Sequence, residues 1–234
     1  MEHEAVFKYI YDRNIWGQTD DYKTDDTPNS GKGSSVQTNV PYIMFLRKFL
    51  QERNIKSVAD VGCGDWRCSA EIYKGLDCFY IGYDIYEPLI HKHTETYKNP
   101  NWRFKTLNCC SSPDKIFPSD LLILKDVLQH WTDRQVKEFM DYVTTSNRFK
   151  YILITNCCSP KMFTTLIFAG GWRTLQNDHH LLKPYDLKPV LSYGTKSCLL
   201  WEAPPTEEEK DLDIEDVIGT TNKDWTLEWL RRNH

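Results

Sequence analysis

Five short apolar runs, separated by amphipathic stretches, set the rhythm of this chain. Residues 57–61, 79–83, 102–107, 121–124 and 151–155 read as strands. The fourth is apolar at every position, as expected of a strand buried on both faces of a parallel sheet. Between them, 69–75 and 88–97 read as helices. Thr132-Asp133-Arg134-Gln135 is a capping box that opens another helix. Its apolar residues Val136, Phe139, Met140 and Val143 recur at i, i+3, i+4 and i+7. Upstream, 4–13 reads as a short helix and 37–53 as a longer one, with Ile43, Leu46 and Leu50 on one stripe. Residues 28–35 are rich in glycine and serine and read as a loop. Strands alternating with helices predict a parallel sheet with helices on both faces.

Beyond residue 157 the rhythm breaks. A weak helical pattern covers 162–168. Residues 189–193 and 197–202 then read as two strands around the turn Gly194-Thr195-Lys196, and a hairpin is antiparallel. The expected fold is α/β, a seven-stranded, mostly parallel sheet ending in an antiparallel hairpin. One domain over 1–234 is expected: an N-terminal helix and loop (1–36), a core (37–203), and an acidic tail (204–234). A short helix with Trp225, Trp229 and Leu230 is expected in that tail.

Composition narrows the function. With 40% hydrophobic and 13% aromatic residues, the 234-residue chain can bury a sizeable core. A net charge of −4 gives no electrostatic footprint for duplex nucleic acid. No apolar run approaches the roughly 20 residues that span a bilayer, and no signal peptide is visible at the N-terminus. None of the eight cysteines forms a C-x₂-C pair, and most fall in strands. They read as reduced, buried thiols rather than a zinc site or a disulfide framework, which implies a cytoplasmic or similarly reducing compartment.

Chemistry gathers at the strand ends. Asp60-Val61-Gly62-Cys63-Gly64-Asp65 carries the first strand into an acidic glycine loop. The second ends in Asp84-Ile85, about 20 residues later. Such a turn exposes backbone N–H groups and lets a ligand come close to the main chain. Asp84 is placed to accept both hydroxyls of a ribose. A dinucleotide fingerprint wants a small residue where Arg67 stands and needs no charge where Asp60 stands. A carboxylate there suits an amino group or a sulfonium better than a pyrophosphate. The expected ligand is a nucleoside-containing cofactor with positive charge, held by Asp60, Gly62, Gly64, Asp65, Asp84 and Ile85.

The glycine loop resembles that of class I S-adenosylmethionine-dependent methyltransferases. Five parallel strands and an antiparallel pair are similar to their Rossmann-like seven-stranded sheet. Trp16-Gly17, the segment 30–35, the segment 124–130 and Gly170-Gly171-Trp172-Arg173-Thr174-Leu175 follow in order. Together they resemble a subfamily associated with glycan assembly in bacteria and large DNA viruses, including algal viruses that methylate surface sugars. The resemblance covers roughly residues 11–202 and implies S-adenosylmethionine as cofactor and S-adenosylhomocysteine as product. It places Trp16, Gly33 and Ser34 over the cofactor as a lid. It puts Asn108, where the family usually has an acid, against the adenine amino group, with Cys109 beside it. It sets Lys125 and the residues up to Trp131 between the methionine part and the acceptor.

Asp126 and His130 are four apart, so a helical turn would stack them on one side. A histidine with a nearby carboxylate is a base or a base-orienter. Equally open is that Asp126 contacts the cofactor or caps a turn while His130 only packs. A divalent metal could sit between them given a third ligand, although none is predicted. Trp131, Asn156, Trp172, Arg173, His179 and His180 supply rings and planar polar groups that suit a sugar. The expected activity is O-methyl transfer to a sugar hydroxyl of a glycan. The expected partner is that carbohydrate or another small-molecule acceptor, with no duplex nucleic acid and no membrane span. Alternatives are methylation of another small molecule or of RNA, or a non-catalytic cofactor-binding module partnering a glycosyltransferase.

Overall fold

A computed structural model of the chain describes residues 3–17, 30–159, 170, 171 and 173–205. The helix expected at 162–168, Trp172 and the tail helix with Trp225 lie outside these residues. The chain divides into Met1–Glu202 and Ala203–His234, and all that follows concerns the first unit.

Seven strands form one sheet, as the sequence predicts. They are β1 (Ser57–Val61), β2 (Phe79–Asp84), β3 (Trp102–Thr106), β4 (Ser119–Lys125), β5 (Phe149–Cys157), β6 (Lys188–Tyr193) and β7 (Lys196–Glu202). Their order is β3-β2-β1-β4-β5-β7-β6. The first five are parallel, and β7 runs antiparallel to both β5 and β6. The helices are α1 (His3–Asp12), α2 (Val40–Glu52), α3 (Arg67–Tyr73), α4 (Glu87–Thr96) and α5 (Asp133–Thr145).

Alternate residues of the central strands face opposite sides of the sheet. Val58, Leu121, Ile123 and Leu153 pack with Leu46 and Phe49 of α2 and Ile72 of α3 in one core. Their neighbours Ala59, Leu122, Leu124, Ile152 and Ile154 are as deeply buried. The apolar stripe of α5 is buried, and Thr132 caps that helix through the expected reciprocal bonds with Gln135. Residues 37–39 form a 3₁₀ turn, and α2 starts only at Val40, where Pro41 favours a first helical turn. α3 starts two residues earlier than expected because Trp66 takes a left-handed φ of 60° and turns the chain into it. That buried indole rests on Tyr80, Tyr97, Trp102 and Phe104, with ring centroids 4.4–5.4 Å away. It anchors the glycine loop from below.

Among the described residues no helix is long and apolar enough to cross a membrane. All eight cysteines are free thiols, six of them buried. β1 has β2 on one side and β4 on the other, so the strand order reverses there. In open α/β sheets ligands bind beyond the carboxyl ends of the strands at such a point. Val61 lies beside both Tyr83 and Leu124. The residues that follow these three, Gly62, Asp84 and Lys125, therefore emerge at one level.

Candidate active site

A cavity of about 750 Å³ opens at that reversal, lined by the ends of β1, β2 and β4 and the loop after β3. Phe7 and Tyr11 of α1 and Trp16 complete its wall. The glycine loop enters on Gly62, at a φ of 68°, where a Cβ would sit 2.5 Å from Cγ2 of Val127. Only glycine lets the β1 and β4 loops approach so closely.

The loop does not present its N–H groups to a ligand, as the sequence reading expected. Cys63 N donates to the Tyr83 carbonyl at 2.9 Å, Gly64 N to Asp84 Oδ2 at 3.1 Å, and Asp65 N to Ser30 Oγ at 2.7 Å. Three successive amides are thus spent inside the protein. The carbonyl of Gly64 is spent too, on Nε2 of buried His93, at 2.7 Å. Burial lowers the His93 pKa.

Carboxylates face the cavity instead. Asp84 Oδ1 accepts from Tyr86 N at 3.0 Å, and burial raises its pKa despite these bonds. The Ile85 amide and the Tyr11 hydroxyl also reach Asp84, and Tyr11, a side chain, is the donor that a ligand hydroxyl could replace. Tyr11 stands over Asp84, with its ring stacked 4.7 Å from Tyr86. Asp60 accepts from the Tyr80 hydroxyl at 2.7 Å, and burial lifts its carboxyl to about 6. A cation beside Asp60 would lower that value again. Asp65 is tied to Ser34 Oγ at 3.1 Å and to the Arg67 guanidinium at 3.6 Å. Ile85, Asn108 and Cys109 line the cavity as expected, although Asn108 Oδ1 also accepts from Ser111 N at 3.3 Å.

The turn after β4 departs from the helical stacking of Asp126 and His130. Asp126 takes a left-handed φ of 60°, and a 3₁₀ turn at Leu128–His130 follows. Asp126 does not bond to His130. Its Oδ2 is paired with the ammoniums of Lys125 and Lys196, which hold its carboxyl below the usual range, whereas Oδ1 is buried without a hydrogen-bond partner among the described residues. An ionised carboxylate between two ammoniums is neither a base nor an orienter for His130.

The Gly171 carbonyl, 2.7 Å from Nδ1, orients His130 instead. A carbonyl only accepts, so Nδ1 carries the proton and Nε2 of the neutral ring carries the lone pair. Gln129 agrees: its Oε1 accepts from Cys157 N at 3.0 Å, which turns its NH₂ toward His130 Nε2, 3.5 Å away. The ring packs 4.8 Å from Trp16, and burial lowers its pKa. Among the described residues no three His, Cys, Asp or Glu side chains gather to hold a metal ion.

Of the expected acceptor contacts, Trp131 lines the cavity and Trp172 lies outside the described residues. The others are corrected. Arg173 is fully buried away from the cavity, ion-paired with Asp133 and donating to the carbonyls of Trp131 at 2.7 Å and Leu128 at 3.3 Å. His179 is buried, with Nδ1 accepting from Leu181 N at 3.3 Å. His180 is exposed, near Asp133. Asn156 is buried in β5, outside the cavity.

With Gly170 N on the His130 carbonyl at 2.9 Å, Gly170, Gly171 and Arg173 brace the turn that carries His130. Arg173→Ala would strand the Asp133 carboxylate and two carbonyls. Asp133 is a third exposed, so the expected loss is about 2 kcal/mol, below the usual range for a buried pair. Urea unfolding checks this, and an unshifted midpoint would remove the bracing role.

Lys196, Gln129, Tyr11 and His93 were missed. Lys196 carried a faint signal, since it ends a hairpin turn next to the strand end, where ligands bind. The others meet their partners only through tertiary packing.

No family model and no curated protein matches the chain. Its fold is similar to solved structures at low identity. An O-methyltransferase family protein from Burkholderia thailandensis superimposes with a TM-score of 0.56 at 13% identity, over 74% of this chain and 58% of that one. Human N-acetylserotonin methyltransferase, in complex with S-adenosylmethionine, gives 0.55 at 15%, over 88% of this chain and 61% of that one. Magnesium protoporphyrin IX methyltransferase from Synechocystis, with bound S-adenosylhomocysteine, gives 0.58 at 13%, over 87% and 100%. This chain therefore spans about three fifths of the first two and all of the third. The sheet order and these neighbours agree that the chain has the Rossmann-like fold of class I S-adenosylmethionine-dependent methyltransferases.

Proposed function

We propose that the chain is an S-adenosylmethionine-dependent O-methyltransferase whose acceptor is a sugar hydroxyl. The observation that carries the cofactor is the pairing of spent loop amides with buried carboxylates at Asp84 and Asp60. A pyrophosphate needs free N–H groups at that turn. A ribose diol and a positively charged group need acceptors. Asp84 would hold the ribose, Asn108 and Cys109 the adenine end, and Asp60 and Asp126 the positively charged end.

When bound, S-adenosylmethionine supplies a methyl group made electrophilic by its sulfonium. The protein has two tasks left. One is to align the acceptor oxygen, which is worth up to several kcal/mol. The other is to take the hydroxyl proton, for which His130 Nε2 would offer its lone pair in place of the long Gln129 contact. Phe7, Trp16 and Trp131 line the cavity, and Phe7 and Trp16 stand against the imidazole. They exclude water and offer flat faces to the C–H surface of a sugar. These rings and the order of sequence motifs support the carbohydrate reading.

Calorimetry is expected to show one S-adenosylhomocysteine bound per chain and no binding of NAD. NAD binding in its place would overturn the cofactor. Incubation of S-adenosylmethionine with mono- and disaccharides is expected to release S-adenosylhomocysteine and give an O-methyl signal by NMR. Methylation of small phenols or RNA alone would overturn the sugar. Binding without any release would favour a non-catalytic module.

A further inference from the structure

We propose that Lys196 is a positioning residue that latches the turn Lys32–Ser34 over the cofactor cavity, acting through Asp126 and the Gly33 carbonyl. The inference rests on the cofactor reading above for its consequence, but its geometry stands apart from it. Three segments far apart in sequence meet here: the N-terminal loop, the end of β4 and the start of β7. Lys125 Nζ lies 2.8 Å from both the Gly33 carbonyl and Asp126 Oδ2. Lys196 Nζ pairs with the same carboxylate oxygen and lies 3.3 Å from the same carbonyl. Asn39 Nδ2 also donates to that carbonyl, at 2.7 Å, and is itself held by the Tyr193 hydroxyl at 3.0 Å.

A carbonyl has two lone pairs, and three donors converge on this one. The longest contact belongs to Lys196, so its main hold is Asp126. The fit is close enough to need glycine: a Cβ at Gly33 would sit 2.9 Å from Lys196 Nζ and 3.2 Å from Asp126 Oδ2. The same turn is tied to the glycine loop, through Ser34 on Asp65 and Ser30 on the Asp65 amide. Closing the latch therefore braces the loop and the lid together. The second carboxylate oxygen, Asp126 Oδ1, stays without a partner among the described residues and is left for a donor on the ligand.

Lys196 faces Lys125 and Asp126 at the end of β4, Cys68 of α3 and Cys198 of its own strand. Both thiols are pushed up to about 11 and stay neutral. Burial and the Lys125 charge push the Lys196 pKa below its ordinary 10.5. Raising the pH through that lowered value removes the Lys196–Asp126 pair, so the lid loosens before ordinary lysines titrate.

Lys196→Met and Lys196→Arg test the latch. In the ligand-free protein, Lys196→Met is expected to speed amide exchange at Ser34 and Asn39 on the order of tenfold, as for loss of one charge-assisted bond. Amides of α5 should keep their protection. S-adenosylhomocysteine should dissociate faster by a similar factor, and Lys196→Arg should recover most of both. In the wild type, dissociation should quicken as pH rises, at pH values below the ordinary lysine value of 10.5, and in Lys196→Met that rise should vanish. Unchanged exchange at residues 34–39, or an equal rise throughout the fold, overturns the latch. If the wild type binds no S-adenosylhomocysteine, the cofactor reading falls and the exchange result alone decides the latch.

Discussion

His130→Ala is expected to cut turnover by about 10²–10⁴-fold while S-adenosylhomocysteine affinity stays near wild type. The separation follows from position. No carboxylate holds the imidazole; a carbonyl fixes Nδ1 and an amide NH₂ sits near Nε2. Substitution therefore removes the proton acceptor without unpairing a buried charge. The pH profile carries the sign. Burial lowers the His130 pKa below 6.5, so the ring is neutral at pH 7. Turnover should rise with pH through that lowered value and level off near neutrality. In His130→Ala this limb should be absent, with whichever acceptor the release screen returns. Equal turnover in both proteins would remove the base assignment. A matching fall in cofactor affinity would instead make His130 part of the cofactor wall, with Trp16 packed against it.

Local chemistry was legible in the sequence and tertiary chemistry was not. The glycine loop, Asp84 and the capping box at Thr132 each encode their geometry within a few residues, and the structure shows them where they were expected. The sheet was legible because apolar runs and the hairpin turn fix strand type and order. Spacing misled where a backbone conformation intervened. Asp126 and His130 are four apart, but the left-handed residue at 126 breaks the helical turn that would have stacked them. Residue type misled in the segment 170–180. Arg173 and His179 are polar and aromatic enough to suggest a sugar, yet they are buried on internal carbonyls and amides. Lys196 was only faintly legible and His93 not at all, because their partners, Asp126 and the Gly64 carbonyl, lie 70 and 29 residues away.

Asp84→Ala is expected to weaken S-adenosylhomocysteine binding by at least about 100-fold, measured by calorimetry. Two effects add. A carboxylate that accepts both ribose hydroxyls contributes about 1.5–3 kcal/mol for each charge-assisted bond. Its removal also unties Gly64 N and Tyr86 N, 3.1 and 3.0 Å from its oxygens, so the glycine loop would have to be re-ordered when the nucleoside binds. Folding stability should fall much less than binding, for a reason visible in the pKa. Burial raises the Asp84 pKa in the folded chain. The native state therefore holds this proton more tightly than the unfolded one, and stability falls as pH rises from the unfolded value through the folded one. Above the folded value the ionised carboxylate is a net cost to folding that its bonds only partly offset. Deleting it removes that cost together with the two bonds. A protein that melts near the wild-type temperature yet no longer binds the nucleoside is the signature of a carboxylate kept for its ligand. Affinity within tenfold of wild type would show that the adenosine is held elsewhere. A large loss of stability would show that Asp84 serves the loop first and the ribose second.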